Sequence, residues 1–217
     1  MTASESRYVP AAGRAAFAGA YDTAVALTMR ERLWRPLLAA RIAGHVRPDG
    51  RIVDVGAGTG TLAIAIATAR PDAEVIGIDG DPDILDRARR KPGADTVSWR
   101  HGVAGQLDLE DESVDAAVMS LLLHHLAPDA KRAALADVQR VLRPTGRLHI
   151  ADWGRPHGPL MRTAFAALQL LDGVEGTRDH AAGRLPAFIR DAGFDDVRRH
   201  RRLRTAWGSL ELLEASR

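Results

Sequence analysis

The stretch Val53-Asp54-Val55-Gly56-Ala57-Gly58-Thr59-Gly60, answered further on by Asp79, decides how this chain folds. The glycines come directly after a β-type run, Arg51-Ile52-Val53-Asp54-Val55, and alternate with small residues. The apolar, Ala-rich segment Leu62-Ala63-Ile64-Ala65-Ile66-Ala67 then reads as the start of a helix. A second β-type run, Glu74-Val75-Ile76-Gly77-Ile78, ends on Asp79. A strand, a tight glycine turn, a helix and a second strand tipped by a carboxylate form a unit that binds a nucleoside-containing cofactor at the carboxyl ends of its strands.

Outward from that unit, strand and helix keep alternating, which argues for a parallel sheet covered on both faces. A helix is expected over Pro82–Arg90, strands around Val97–Arg100 and Val114–Ser120, and an acidic loop over Gln106–Ser113. Apolar residues at helical spacing mark Asp129–Leu142, and Arg143-Pro144-Thr145-Gly146 stops that helix. A fifth strand over Arg147–Trp153, helices around Leu160–Leu171 and Leu185–Phe194, and two late strands around Val197–His200 and Leu210–Glu214 complete the pattern. Upstream of the first strand, Ala11–Tyr21 and Ala24–Val46 read as helices capping the carboxyl edge of the sheet.

The 217 residues suit one domain with a full hydrophobic core, here a cap over 1–48 and a core over 49–217. With no cysteine there is no disulfide, thiolate nucleophile or cysteine metal site. No apolar run approaches the roughly 20 residues that span a bilayer, and the first residues do not read as a secretion signal, so a cytoplasmic location is expected. Arginine supplies nearly all the cations, which holds the pI near 9.5 while the formal net charge is only +2. The dense cluster Arg198-Arg199-His200-Arg201-Arg202 could touch an anionic partner, but a solvated strand entry is the plainer reading.

The glycine pattern is G-x-G-x-G, with Thr61 where a dinucleotide fingerprint would place its last glycine. Four further segments accompany VDVGAGTG: VIGIDGD, EDESVDAAVMSLLLHHL, RVLRPTGRLHIADW and AGFDDV. In order and spacing, over about three-quarters of the chain, the set resembles the class I S-adenosylmethionine-dependent methyltransferases of the ubiquinone/menaquinone-methyltransferase-like branch. The resemblance implies an α/β, doubly wound, Rossmann-like fold. It would have a mainly parallel seven-stranded sheet, a C-terminal antiparallel hairpin and an N-terminal helical cap. It also implies methyl transfer from S-adenosyl-L-methionine to a small-molecule acceptor: a quinone precursor, a lipid head group or a secondary metabolite.

Gly56, Ala57, Gly58 and Gly60 would then admit close approach of the cofactor, Asp79 would accept the ribose hydroxyls, and Gly80 would lie beside the adenine. Asp54 could hold the cofactor's ammonium or merely shape the glycine loop. Where family members often place Gly-Asp-Ala, this chain has Gly102-Val103-Ala104. That leaves the backbone of Val103 or Ala104 for the adenine, without a carboxylate. Ser120 and Leu121 would line the methionine side, and Tyr21, in a Tyr-Asp pair like the family's, would sit near the cofactor. For a general base the candidates are His124, His125 and Asp152, with His157 and Tyr21 behind them. His124-His125 could equally serve packing and helix entry, and Asp152 could be a strand cap. Trp34 could close the pocket or belong to the core, and Thr177 and His180 are weaker pocket candidates.

Other acceptors are argued down by what the sequence lacks. Ser120-Leu121-Leu122-Leu123 stands where amino-methylating nucleic-acid enzymes carry D/N-P-P-aromatic, so a nucleic-acid partner is disfavoured. Methylation at cytosine C5 needs a cysteine, and no carboxylate cluster suggests a metal. A monomer or a homodimer would serve. The competing readings are a nicotinamide-dependent oxidoreductase and a non-catalytic partner protein that keeps the fold.

Overall fold

The computed structural model describes residues 28–217, so the expected helix over 11–21, the start of the one over 24–46 and Tyr21 lie outside the described residues. Within them, α1 (Glu31–Ala43) leads into β1 (Arg51–Val55), α2 (Thr61–Ala69), β2 (Glu74–Asp79), α3 (Pro82–Arg89), β3 (Val97–His101) and β4 (Val114–Ser120). Then come α4 (Pro128–Val141), β5 (Leu142–Trp153), α5 (Pro159–Asp172), α6 (Val174–Ala181), α7 (Leu185–Asp191), β6 (Asp195–Arg204) and β7 (Ser209–Ser216).

The seven strands make one sheet in the order β3-β2-β1-β4-β5-β7-β6. The first five are parallel, and β7 runs antiparallel to both β5 and β6. The order reverses between β1 and β4, which opens a crevice at the carboxyl ends of those strands.

Both faces are covered, and the period-2 alternation of side chains assigns each residue to one of them. Val53, Val55, Ala117, Met119, Leu148 and Ile150 pack beneath α4 and α7. Ile52, Ala116, Val118 and Ala151 pack with Trp34, Leu38 and Ile42 of α1 and Leu62 and Ile66 of α2. A third cluster of Met29, Trp153, Phe165 and Leu168 sits where β5 ends and α5 crosses it.

Three differences from the sequence reading have physical causes. First, α1 lies along a sheet face; Trp34, with no exposed surface, is core rather than a pocket wall. Among the described residues, those just before α1 reach the carboxyl edge, where Thr28 accepts from the Trp207 indole at 3.0 Å and its carbonyl from the Ala206 amide at 3.2 Å.

Second, β5 begins at Leu142, upstream of the expected Arg147. Leu142 pairs with Val114 and Arg147 with Ala116, so Arg143–Gly146 is an excursion within one strand.

Third, α6 follows Gly173 directly, and no helix was expected there. Its sequence, VEGTRDHA, offers too few apolar residues to show a helical period.

Candidate active site

The glycine turn is built around Asp79. Its Oδ2 accepts the Gly58 amide at 2.7 Å and its Oδ1 accepts the Asp81 amide at 3.0 Å. The Ile78 carbonyl accepts the amides of Gly56 and Ala57 at 2.8 and 2.9 Å, which draws the tip of β2 against the turn. Gly58 has φ +55°, and a Cβ there would meet nothing within 4 Å, so the turn faces open space. Gly60 is the opposite case. At φ +77° it caps α2, and a Cβ would overlap the Trp99 ring and Ala88. Lys91 braces the turn from outside, donating to the hydroxyls of Thr59 and Thr61 at 2.8 and 2.7 Å.

Asp54 lies beneath this turn with no exposed surface, and neither carboxylate oxygen has a hydrogen-bond partner. Burial pushes its pKa up to about 7; the Arg35 charge and the Ala63 amide oppose the rise, and the charge of Asp79 adds to it. A buried acid that makes no well-formed hydrogen bond has the properties of a partner for a cationic group.

At the positions expected to flank an adenine, Gly102 donates to the Asp79 carbonyl at 3.0 Å and His101 Nε2 lies 3.1 Å from the Gly80 carbonyl. Val103 is 53% exposed, while Ala104 packs partly against the core. These residues, Gly80 and the glycine turn therefore share one rim of the crevice.

The opposite rim is set by Asp152, buried at the end of β5. Its Oδ2 accepts the Leu123 amide at 2.8 Å, and its Oδ1 accepts the Trp153 amide at 2.7 Å and Nδ1–H of His124 at 2.8 Å. Burial alone would raise the pKa of Asp152, but His124, His180 and these donors hold it below the ordinary carboxylate range. The carboxylate thus pins the 3-10 turn Leu123–His125 onto β5. Leu121, just before that turn, is held at φ +53° with its amide donating to the Ala151 carbonyl at 2.8 Å. A leucine in the left-handed region is strained, and it bends the chain away from the end of β4 beside Ser120.

His124 is buried and His125 is exposed, with ring centroids 3.9 Å apart. Loss of hydration on the ring's inner side, then the neighbouring His124, lower the His125 pKa, so it stays a neutral proton acceptor through the physiological range. Of the three candidate bases, His125 alone has its ring in contact with solvent.

Behind the turn stands α6, which the sequence did not reveal. Gly176 lies so close to the His124 carbonyl that a Cβ would overlap it. His180 is buried with neither ring nitrogen hydrogen-bonded; its Nε2 lies 3.7 Å from Asp152, and burial lowers its pKa to about 4. Lys131, buried in α4, donates to the Gly176 carbonyl at 2.6 Å and to Asp179 at 3.3 Å, and Asp179 also pairs with Arg184. Thr177 is buried, donating to the Gly173 carbonyl at 2.6 Å and accepting from Gln169 of α5 at 3.2 Å. His157 faces elsewhere, pairing with Ser209 at 2.6 Å and Arg204 at 3.0 Å.

With this geometry in place, the known proteins it matches are informative. Residues 52–146, from β1 into β5, match the methyltransferase domain model. That segment is similar to the methyltransferase domain family. The demethylmenaquinone methyltransferase of Deinococcus radiodurans is 35% identical over 137 residues, covering 62% of this chain and 55% of the relative. The 2-phytyl-1,4-naphtoquinone methyltransferase of Synechococcus elongatus is 35% identical over 136 residues, covering 60% of this chain and 57% of the relative. The chain thus spans little more than half the length of these curated relatives.

A solved SAM-dependent methyltransferase from Methanosarcina mazei superposes with a TM-score of 0.65 at 22% identity, over 81% of this chain and 96% of that one. That likeness concerns the fold alone. The glycine turn and the Leu123–His125 turn lie within the matched residues, but Asp152, α5, α6 and the β6–β7 hairpin lie beyond them.

Proposed function

We propose that this chain transfers a methyl group from S-adenosyl-L-methionine to a hydrophobic small molecule of the quinone class. The observation that carries the donor is Asp54, a buried carboxylate that makes no well-formed hydrogen bond and has only the Ala63 amide nearby, beneath a turn whose Gly58 faces open space. Such a group suits the ammonium of the methionine moiety. Asp79, whose oxygens now accept the amides of Gly58 and Asp81, has lone pairs left for the ribose hydroxyls. Gly80, Val103 and Ala104 would flank the adenine through backbone, Ser120 and Leu121 the methionine chain, and Gly56, Ala57 and Gly60 the turn itself.

When bound, the cofactor supplies an electrophilic methyl group on sulfur. The protein's part is then alignment and exclusion of water. Asp152 and His124 act as positioning residues that fix the turn carrying His125. His125, neutral and exposed, would take the proton where the acceptor must lose one. The apolar cluster of Met29, Trp153, Phe165 and Leu168 lies beside this rim and suits an aromatic acceptor. The named activities of the two quinone-methylating relatives support the same class.

Isothermal titration with S-adenosylhomocysteine tests the donor half, and absence of saturable binding by folded protein at about 1 mM ligand refutes it. Turnover of radiolabelled methyl donor across a panel of naphthoquinols, lipid head groups and phenolic metabolites tests the acceptor.

A further inference from the structure

On the sheet face beneath α1, away from the crevice, three ligand-type atoms from different elements converge. They belong to His45, just past the end of α1, His149 on β5 and Glu214 on β7, and all lie within 4.8 Å of one another. His149 and Glu214 are direct cross-strand partners. We propose that these three side chains, with His200 beside them, bind one divalent transition-metal ion of the zinc class.

Four observations carry this. His149 is fully buried, yet neither ring nitrogen has a hydrogen-bond partner; Nδ1 stands 3.7 Å from Glu214 Oε2. An imidazole buried without partners is costly unless something else supplies the missing interaction. His45 gives its Nδ1–H to the Arg41 carbonyl at 2.7 Å, which fixes the tautomer and leaves Nε2 as a lone-pair donor, the arrangement usual for a metal-bound histidine. His200 is the extra residue of a bulge, since Arg199 pairs with Leu213 and Arg201 with Leu212. The bulge sets its Nε2 3.2 Å from Glu214 Oε2. Finally, a groove of about 260 Å³ beside His149 and His200 opens the site to solvent.

In a zinc-type tetrahedral set neighbouring ligand atoms stand about 3.3–3.5 Å apart, so side-chain shifts of about 1 Å bring His45, His149 and Glu214 into place. His200, already beside Glu214, would supply the fourth ligand by a rotation of its side chain. Two arginines already hold Glu214: Arg41, whose Nε lies 2.6 Å from Oε2 and whose side chain is 38% exposed, and Arg147, whose Nη1 lies 2.5 Å from Oε1. A metal on Oε2 would displace Arg41 toward solvent, while Arg147 keeps the other oxygen.

The experiment is calorimetric titration of the untagged full chain with zinc chloride, paralleled by the visible spectrum of the cobalt(II) form. One equivalent should bind, with tetrahedral cobalt absorption. His45→Ala, on an exposed residue outside any helix or strand, should weaken binding by about 100-fold, and His200→Ala by about tenfold. Arg41→Ala should tighten it, because it removes the competing cation. The proposal is overturned if zinc fails to bind saturably below about 0.1 mM. It is equally overturned if one-equivalent binding is untouched by His45→Ala, or is lost instead in His125→Ala. None of these readouts depends on methyl transfer.

Discussion

Replacing Asp54 with asparagine keeps its shape and removes its charge, and the buried site makes the consequence calculable. In the folded chain burial moves the carboxyl up to about 7, against an ordinary aspartate value of 3.8. The folded state therefore holds a proton that the unfolded chain has already released. Stability conferred by the carboxyl falls as pH rises between those values, by about 1.4 kcal/mol per pH unit. The full penalty, reached above about pH 7, is on the order of 4 kcal/mol, and Asp54→Asn escapes it. Urea denaturation of the cofactor-free proteins should therefore show the variant gaining on the parent from about pH 5 to pH 7, with the gap flat above.

The same charge should reverse the variant's advantage when ligand is added. An ammonium beside Asp54 favours its ionised form, so S-adenosylhomocysteine should release close to one proton at about pH 6 and almost none at about pH 8.5. Calorimetry in two buffers of different ionisation enthalpy measures this directly. Asp54→Asn should bind about 10- to 100-fold more weakly, with no such release. A stability gap independent of pH, together with no proton release by the parent, would refute the reasoning.

Asp79→Ala should weaken S-adenosylhomocysteine binding by about 100-fold or more, since two charge-assisted ribose contacts are lost; an unchanged Kd would remove the assignment. Gly60→Ala should cost about 2–4 kcal/mol in urea, because the methyl group has no room beside Trp99 and forces a strained φ. His125→Ala should lower kcat by about 100-fold with little change in cofactor affinity, and the loss should shrink with an acceptor that is already deprotonated at assay pH. Asp152→Asn should lower kcat and also the melting temperature, because Oδ1 and Oδ2 together hold the Leu123–His125 turn; the thermal scan separates it from His125→Ala.

The donor side of the crevice was legible in the chain because its determinants are local. Gly56 and Gly60 sit where a Cβ would clash, Gly58 holds a left-handed φ in open space, and Asp79 ends an apolar run, so a few adjacent residues announce the turn. The other rim was less legible because it is held by contacts distant in sequence. Asp152 reads as a strand cap until its bonds to Leu123 and His124, nearly thirty residues away, are seen. The helix behind it was hidden for a compositional reason: Gly173, Gly176 and Gly183 break its pattern, yet Gly176 is what lets it press against His124. The arginine cluster was visible, but its partners were not. Arg199 and Arg202 turn inward to Glu211, which β7 buries, so much of its charge is spent inside the hairpin.

That contact at Gly176 has a practical corollary for redesign. The segment from Pro159 to Ala181 meets the turn at Gly176 and His180, packs Phe165 on Trp153, and is moored to α4 through the buried Lys131. Under the proposed function, a graft that keeps those contacts should change acceptor scope while leaving the glycine turn and Asp79 undisturbed.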